Sequence, residues 1–66
     1  MATKDYWREE MSEADARDLL GSDHFDWALD KGAGYCAGRA SEYWHANEPE
    51  HYAAYRTAER IALAAA

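Results

Sequence analysis

The chain has 66 residues, a formal net charge of −6 and one cysteine, so it reads as one small domain near the lower size limit for a self-sufficient core. A lone cysteine forms no internal disulfide, and no apolar run approaches the roughly 20 residues of a membrane span. The first ten residues carry no apolar stretch of the kind a secretory leader has. A cytoplasmic setting is therefore expected.

Apolar residues make up 48% of the chain, but many are alanines, which bury little area each. Three Trp, five Tyr and one Phe must supply much of the packing. The charge is segregated. Residues 1–30 hold nine acids and three bases, whereas residues 31–66 hold four of each. The first half therefore carries all the net charge. Its field repels phosphate, which disfavours direct contact with nucleic acid or an anionic membrane and favours a basic partner.

Residues 3–10 read as an arm or a short extra helix bearing Tyr6 and Trp7, with Thr3 a candidate cap. The first clear helix starts at Ser12. Ser12-Glu13-Ala14-Asp15 resembles a capping box, with Met11 at the hydrophobic-staple position and Gly21 as terminator. Ser22 is expected to cap a second, long helix running to Ala46. Its apolar arc takes Phe25, Ala28, Leu29, Gly32, Ala33, Cys36, Ala37, Ala40, Tyr43 and Trp44. Gly32, Gly34 and Gly38 weaken this helix by about 1 kcal/mol each relative to alanine, and Lys31–Gly34 is where it would break. The unbroken arc across the glycines favours continuity. Asn47-Glu48-Pro49-Glu50 then reads as an N-cap box opening the last helix. That helix turns Ala54, Tyr55, Ala58, Ile61, Ala62 and Ala65 inward, with His51 among them. No strand alternation or repeat is present. The expected fold is all-α: a three-helix domain over about 12–20, 23–46 and 48–64, with an N-terminal arm.

Four features could carry function. The first is acidic. Asp23, Asp26 and Asp30 stack at i, i+3 and i+7, spanning roughly 10 Å along the helix, and the preceding helix adds Glu13, Asp15 and Asp18. Carboxylates on rigid helices can present charge to a groove built for phosphate. The plainer account is a solvated face with acids favoured by helix dipoles. The second is Trp27, which a continuous helix places beside Lys31, Gly34, Gly38 and His45 as an aromatic anchor; the alternative is a core residue covered by Tyr6 and Trp7. The third is a pair of Glu-x-x-His spacings, Glu42/His45 and Glu48/His51, of the kind found in di-metal helical bundles. The further core carboxylates of such a site are lacking, so no metal and no cofactor are expected. His24 reads as a surface or interface group. The fourth is Cys36, central in the apolar arc and without a placed base, which reads as a small buried hydrophobe. There is no Ser/His/Asp arrangement and no phosphate loop, and the chain is expected to be non-enzymatic.

The tail Ala62-Leu63-Ala64-Ala65 is similar to the ending of bacterial degradation tags, although a fraying helix end of good helix formers explains it as well. In size and charge, though at no particular residue, the chain resembles phage anti-CRISPR proteins, which are short, often acidic and non-catalytic. That resemblance implies a protein that blocks a partner by occupancy. The expectation is an inhibitor or regulator acting as a nucleic-acid mimic on a basic, nucleic-acid-binding protein. Its contacts would be Glu13, Asp15, Asp18, Asp23, Asp26, Trp27 and Asp30. A structural subunit that pairs with a second copy of itself is the alternative.

Overall fold

A computed structural model describes residues 10–65; the expected N-terminal arm with Tyr6 and Trp7 lies outside them. Four helices follow one another: α1 (Glu13–Leu20), α2 (Ser22–Lys31), α3 (Ala33–His45) and α4 (Pro49–Ala65). Among the described residues there is no strand, and no helix is long and apolar enough to cross a membrane.

α1 begins as its sequence dictates. Ser12 Oγ accepts a hydrogen bond from the Asp15 amide at 3.1 Å, and Met11 at the staple position lies against the core. Gly21 ends the helix at φ 90°, its N–H donating to the Arg17 carbonyl at 2.8 Å. The same glycine, not Ser22, is the N-cap of α2. With no residue between the two helices other than Gly21, Ser22 is drawn into the first turn of α2, where its Oγ receives a bond from Arg17.

The expected long helix is two helices. Gly32 has φ 105°, a conformation that residues with a Cβ rarely adopt, and its N–H donates to the Ala28 and Leu29 carbonyls. The apolar arc is preserved across the break: Phe25 and Ala28 of α2 and Cys36 and Ala40 of α3 are all buried. A straight 24-residue rod would run about 36 Å and overshoot a partner helix of 17 residues. Turning at Gly32 brings both segments onto α4. The Cys36 thiol closes the corner by donating to the Ala28 carbonyl at 3.4 Å.

Asn47 is a terminator as well, and not a cap. It sits at φ 61°, its N–H donates to the Trp44 carbonyl at 3.3 Å, and the Glu48 N–H donates to the Tyr43 carbonyl at 2.9 Å. These two bonds form a Schellman closure of α3, with asparagine in the left-handed position more often held by glycine. Pro49 then occupies the first position of α4, where its missing N–H costs nothing.

α4 is the hub of the fold. It packs against α1, α2 and α3, so its first half is enclosed on several sides: Tyr52, Ala53, Ala54, Tyr55, Thr57 and Ala58 are buried. The inner arc is thus wider than one helical stripe, whereas Ile61 and Ala62 are only partly buried and Ala65 is exposed. Thr57 is completely buried and fully paired. Its Oγ1 accepts from the Met11 amide at 2.8 Å and donates to the Met11 carbonyl at 2.7 Å. Together with an ion pair between Arg60 and Glu10, this fastens the entrance of the chain to α4.

Candidate interaction surface

The acids of α1 and α2 divide into two populations, and Arg17 makes the division. Its Nε lies 2.9 Å from Glu13 Oε2 and its Nη1 lies 2.8 Å from Asp26 Oδ1. Its guanidinium also sits 4.7 Å from the Phe25 ring centre. Hydrogen bonding to Glu13 and then to Asp26 raises Arg17 above the ordinary arginine value. Glu13 and Asp26 are thereby committed within the chain. Asp15, Asp18, Asp23 and Asp30 are exposed, and none of them forms an ion pair among the described residues. The expected continuous row Asp23–Asp26–Asp30 therefore splits. Its middle member turns toward α1, and its ends remain open to a partner.

Asp15 and Asp18 border an open groove of about 230 Å³ whose other lining residues are Met11, Leu19 and Glu50. Glu50 comes from the first turn of α4, in the half of the chain that is neutral overall. Linear charge segregation misses it, because only the packing of α1 on α4 brings it to the acidic face. No ion pair reaches Glu50 among the described residues either. Leu19 is 37% exposed. A second shallow depression lies beside it, lined by Ala14, Arg17, Asp18, Gly21 and Ser22, so Asp18 borders both.

Trp27 is 46% exposed, and of the neighbours a continuous helix would supply it keeps Lys31. His24 stacks on it at 5.5 Å, Lys31 Nζ lies 5.2 Å from its ring centre, and Tyr35 of α3 meets it edge-on at 5.1 Å. The break at Gly32 removes the expected alignment with Gly34, Gly38 and His45. Trp27 bridges the corner between α2 and α3 and leaves about half its surface to solvent.

Behind Trp27 runs an aromatic ladder that sequence reasoning did not assemble. His24 Nε2 shares a hydrogen bond of 2.7 Å with the hydroxyl of buried Tyr55. Tyr55 stacks on Tyr43 at 5.6 Å, and Tyr43 stacks on His51 at 4.9 Å. Arg39 donates to the Tyr43 hydroxyl at 3.3 Å and pairs with Glu42. The nearby Tyr55, whose ring centre lies 5.8 Å from the guanidinium, raises Arg39 above its usual value against the opposing effect of burial. Burial pushes the Tyr55 phenol up, against the opposing pull of Arg39. The helical periodicities of 24, 43, 51 and 55 are each visible in the sequence, yet only α4 at the centre brings them into one stack.

The Glu-x-x-His pairs do not converge. His51 Nδ1 is 3.9 Å from Glu48 Oε1 on the same helix turn, and among the described residues no three His, Cys, Asp or Glu side chains cluster around a common point. Cys36 is fully buried. Loss of hydration, reinforced by Glu59, raises its thiol above the ordinary value, which places it with the core and not with reactive cysteines. Comparison with protein-family models, curated proteins and solved structures returns no match to this chain.

Proposed function

We propose that this chain is a non-enzymatic interaction module that inhibits or regulates a partner by laying its acidic face over a basic, nucleic-acid-binding surface. The mode is nucleic-acid mimicry in the cytoplasm, similar in character to that of phage anti-CRISPR proteins. One observation carries it. Asp15, Asp18, Asp23 and Asp30 lie exposed on two short helices with no ion-pair partner among the described residues. Such charges speed encounter with a basic surface and orient it, and half-exposed Trp27 supplies a desolvated anchor beside them. Glu13 and Asp26 contribute to the field while Arg17 neutralises part of their charge.

The experiment is capture of partners from the native host's lysate with identification by mass spectrometry, repeated in rising salt and with added duplex nucleic acid. A nucleic-acid-binding protein should be retained at low salt, released by salt and displaced by the duplex. Asp23→Lys with Asp30→Lys should reduce retention sharply. Retention indifferent to salt, duplex and charge reversal would refute the mimic.

A second reading, self-association, has its own observation. Gly34 and Gly38 lie exposed on α3, and a Cβ at either would meet nothing within 4 Å. Among the described residues no contact requires glycine there. Sedimentation of the pure protein separates the two: a stable oligomer that Gly38→Leu dissociates supports pairing through α3, and a monomer removes it.

A further inference from the structure

The groove between α1 and the first turn of α4 brings apolar and carboxylate side chains from two helices into one concavity. Its lining is apolar at Leu19 and Met11 and carboxylate at Asp15, Asp18 and Glu50. Asp15 and Glu50 stand in first turns, where the helix dipole favours acids. Asp18 does not. It lies two residues from the end of α1, where the dipole opposes a negative charge, it has no cation among the described residues, and it adjoins exposed Leu19. Local stability therefore accounts for neither the charge at Asp18 nor the exposure of the leucine beside it. Both suit an occupant that is cationic and apolar at once.

A second copy of the chain fits poorly. Two chains that each carry a net charge of −6 repel one another, and among the described residues Arg17, Arg39, Arg56 and Arg60 each already hold a carboxylate, while Lys31 lies over Trp27. The occupant must bring its own free cations. Resting on the interaction reading above, we infer that this groove is the principal docking point for a basic amphipathic helix of the partner protein. Aliphatic side chains of that helix cover Leu19 and Met11 while its lysines or arginines reach Asp15, Asp18 and Glu50. Long basic side chains suit such a site because their stems cover apolar surface while their heads stay with the acids.

The test is a titration of the ¹⁵N-labelled full chain, at physiological salt, with two synthetic probes of equal charge. One is a helical peptide with a leucine stripe flanked by lysines; the other is an oligolysine. Saturating amide shifts centred on Asp18, Leu19 and Glu50 are expected with the amphipathic peptide. Leu19→Ser should weaken that peptide about tenfold, the scale of one lost leucine contact, and leave oligolysine unchanged. Asp18→Lys with Glu50→Lys should abolish the groove shifts. Asp23→Lys with Asp30→Lys, on the other helix, should leave their position in place. Peptide shifts centred on Trp27 would overturn the groove assignment and leave the interaction reading standing. Equal binding of both probes, indifferent to Leu19→Ser, would overturn it as well. Absence of binding by either probe would remove both the groove and the basic partner.

Discussion

The effect of losing a single side chain in this protein differs with what that side chain holds. Thr57 is the clearest case, because one hydroxyl serves both the N–H and the carbonyl of Met11. Thr57→Val keeps the volume and removes both bonds, and should cost about 1–3 kcal/mol in urea unfolding, while Thr57→Ser should restore most of it. Asn47, at φ 61°, tests the Schellman closure. Asn47→Gly should be neutral or slightly stabilising, whereas Asn47→Val should cost about 1–2 kcal/mol because a β-branched residue resists the left-handed region. Asp18 runs the other way. Asp18→Asn should stabilise the fold by about 0.3–1 kcal/mol through relief at the end of α1, and should weaken binding of a basic partner.

At the level of elements, the three glycines of the α2–α3 region have opposite roles despite their proximity. Gly32 makes the corner at φ 105°, and Gly32→Ala should destabilise because alanine cannot take that conformation without strain. Gly34 and Gly38 are helical, with open space where a Cβ would go. Replacing both with alanine should add about 2 kcal/mol, seen as a rise in melting temperature of about 4–8 °C per kcal/mol for a domain this small. If α3 pairs with a second copy, the same change should lower association while raising the stability of the monomer. Helix periodicity is blind to this difference. It places Gly32 on the apolar arc and Gly34 and Gly38 on the opposite side of one continuous rod, and cannot tell which of them bears a turn.

The whole molecule is stapled by α4, and two buried titratable groups near the hub, Cys36 and Tyr55, give its stability a pH dependence. Burial raises both the Cys36 thiol and the Tyr55 phenol from their ordinary values of 9.0 and 10.0. Each proton is therefore held more tightly in the folded than in the unfolded chain. The contribution is complete below the unfolded values and is lost as pH rises from there toward the folded ones. The urea midpoint should accordingly fall progressively above about pH 9, and Cys36→Ala should remove the earlier part of the decline. On the same grounds Cys36 should resist alkylation in the native protein and react only on unfolding.

The amino-acid sequence by itself determined the helical class, the apolar arc from Phe25 to Ala40, the capped start at Ser12, the stop at Gly21 and the burial of Cys36. Each of these follows from local spacing, capping chemistry or residue size. It also determined that the acids are crowded into the first thirty residues. Tertiary structure decided the rest. The corner at Gly32 arises because two helices must share α4, and Asn47 became a terminator because α3 had to end before α4 could turn back. Arg17 pairs with Glu13 on its own helix and with Asp26 of the next, which partly neutralises two of the acids. The packing of α1 on α4 brought Glu50 to Asp15 and Asp18 around Leu19. Charge along a chain is a one-dimensional property, whereas which carboxylates are left without a cation depends on which helices meet.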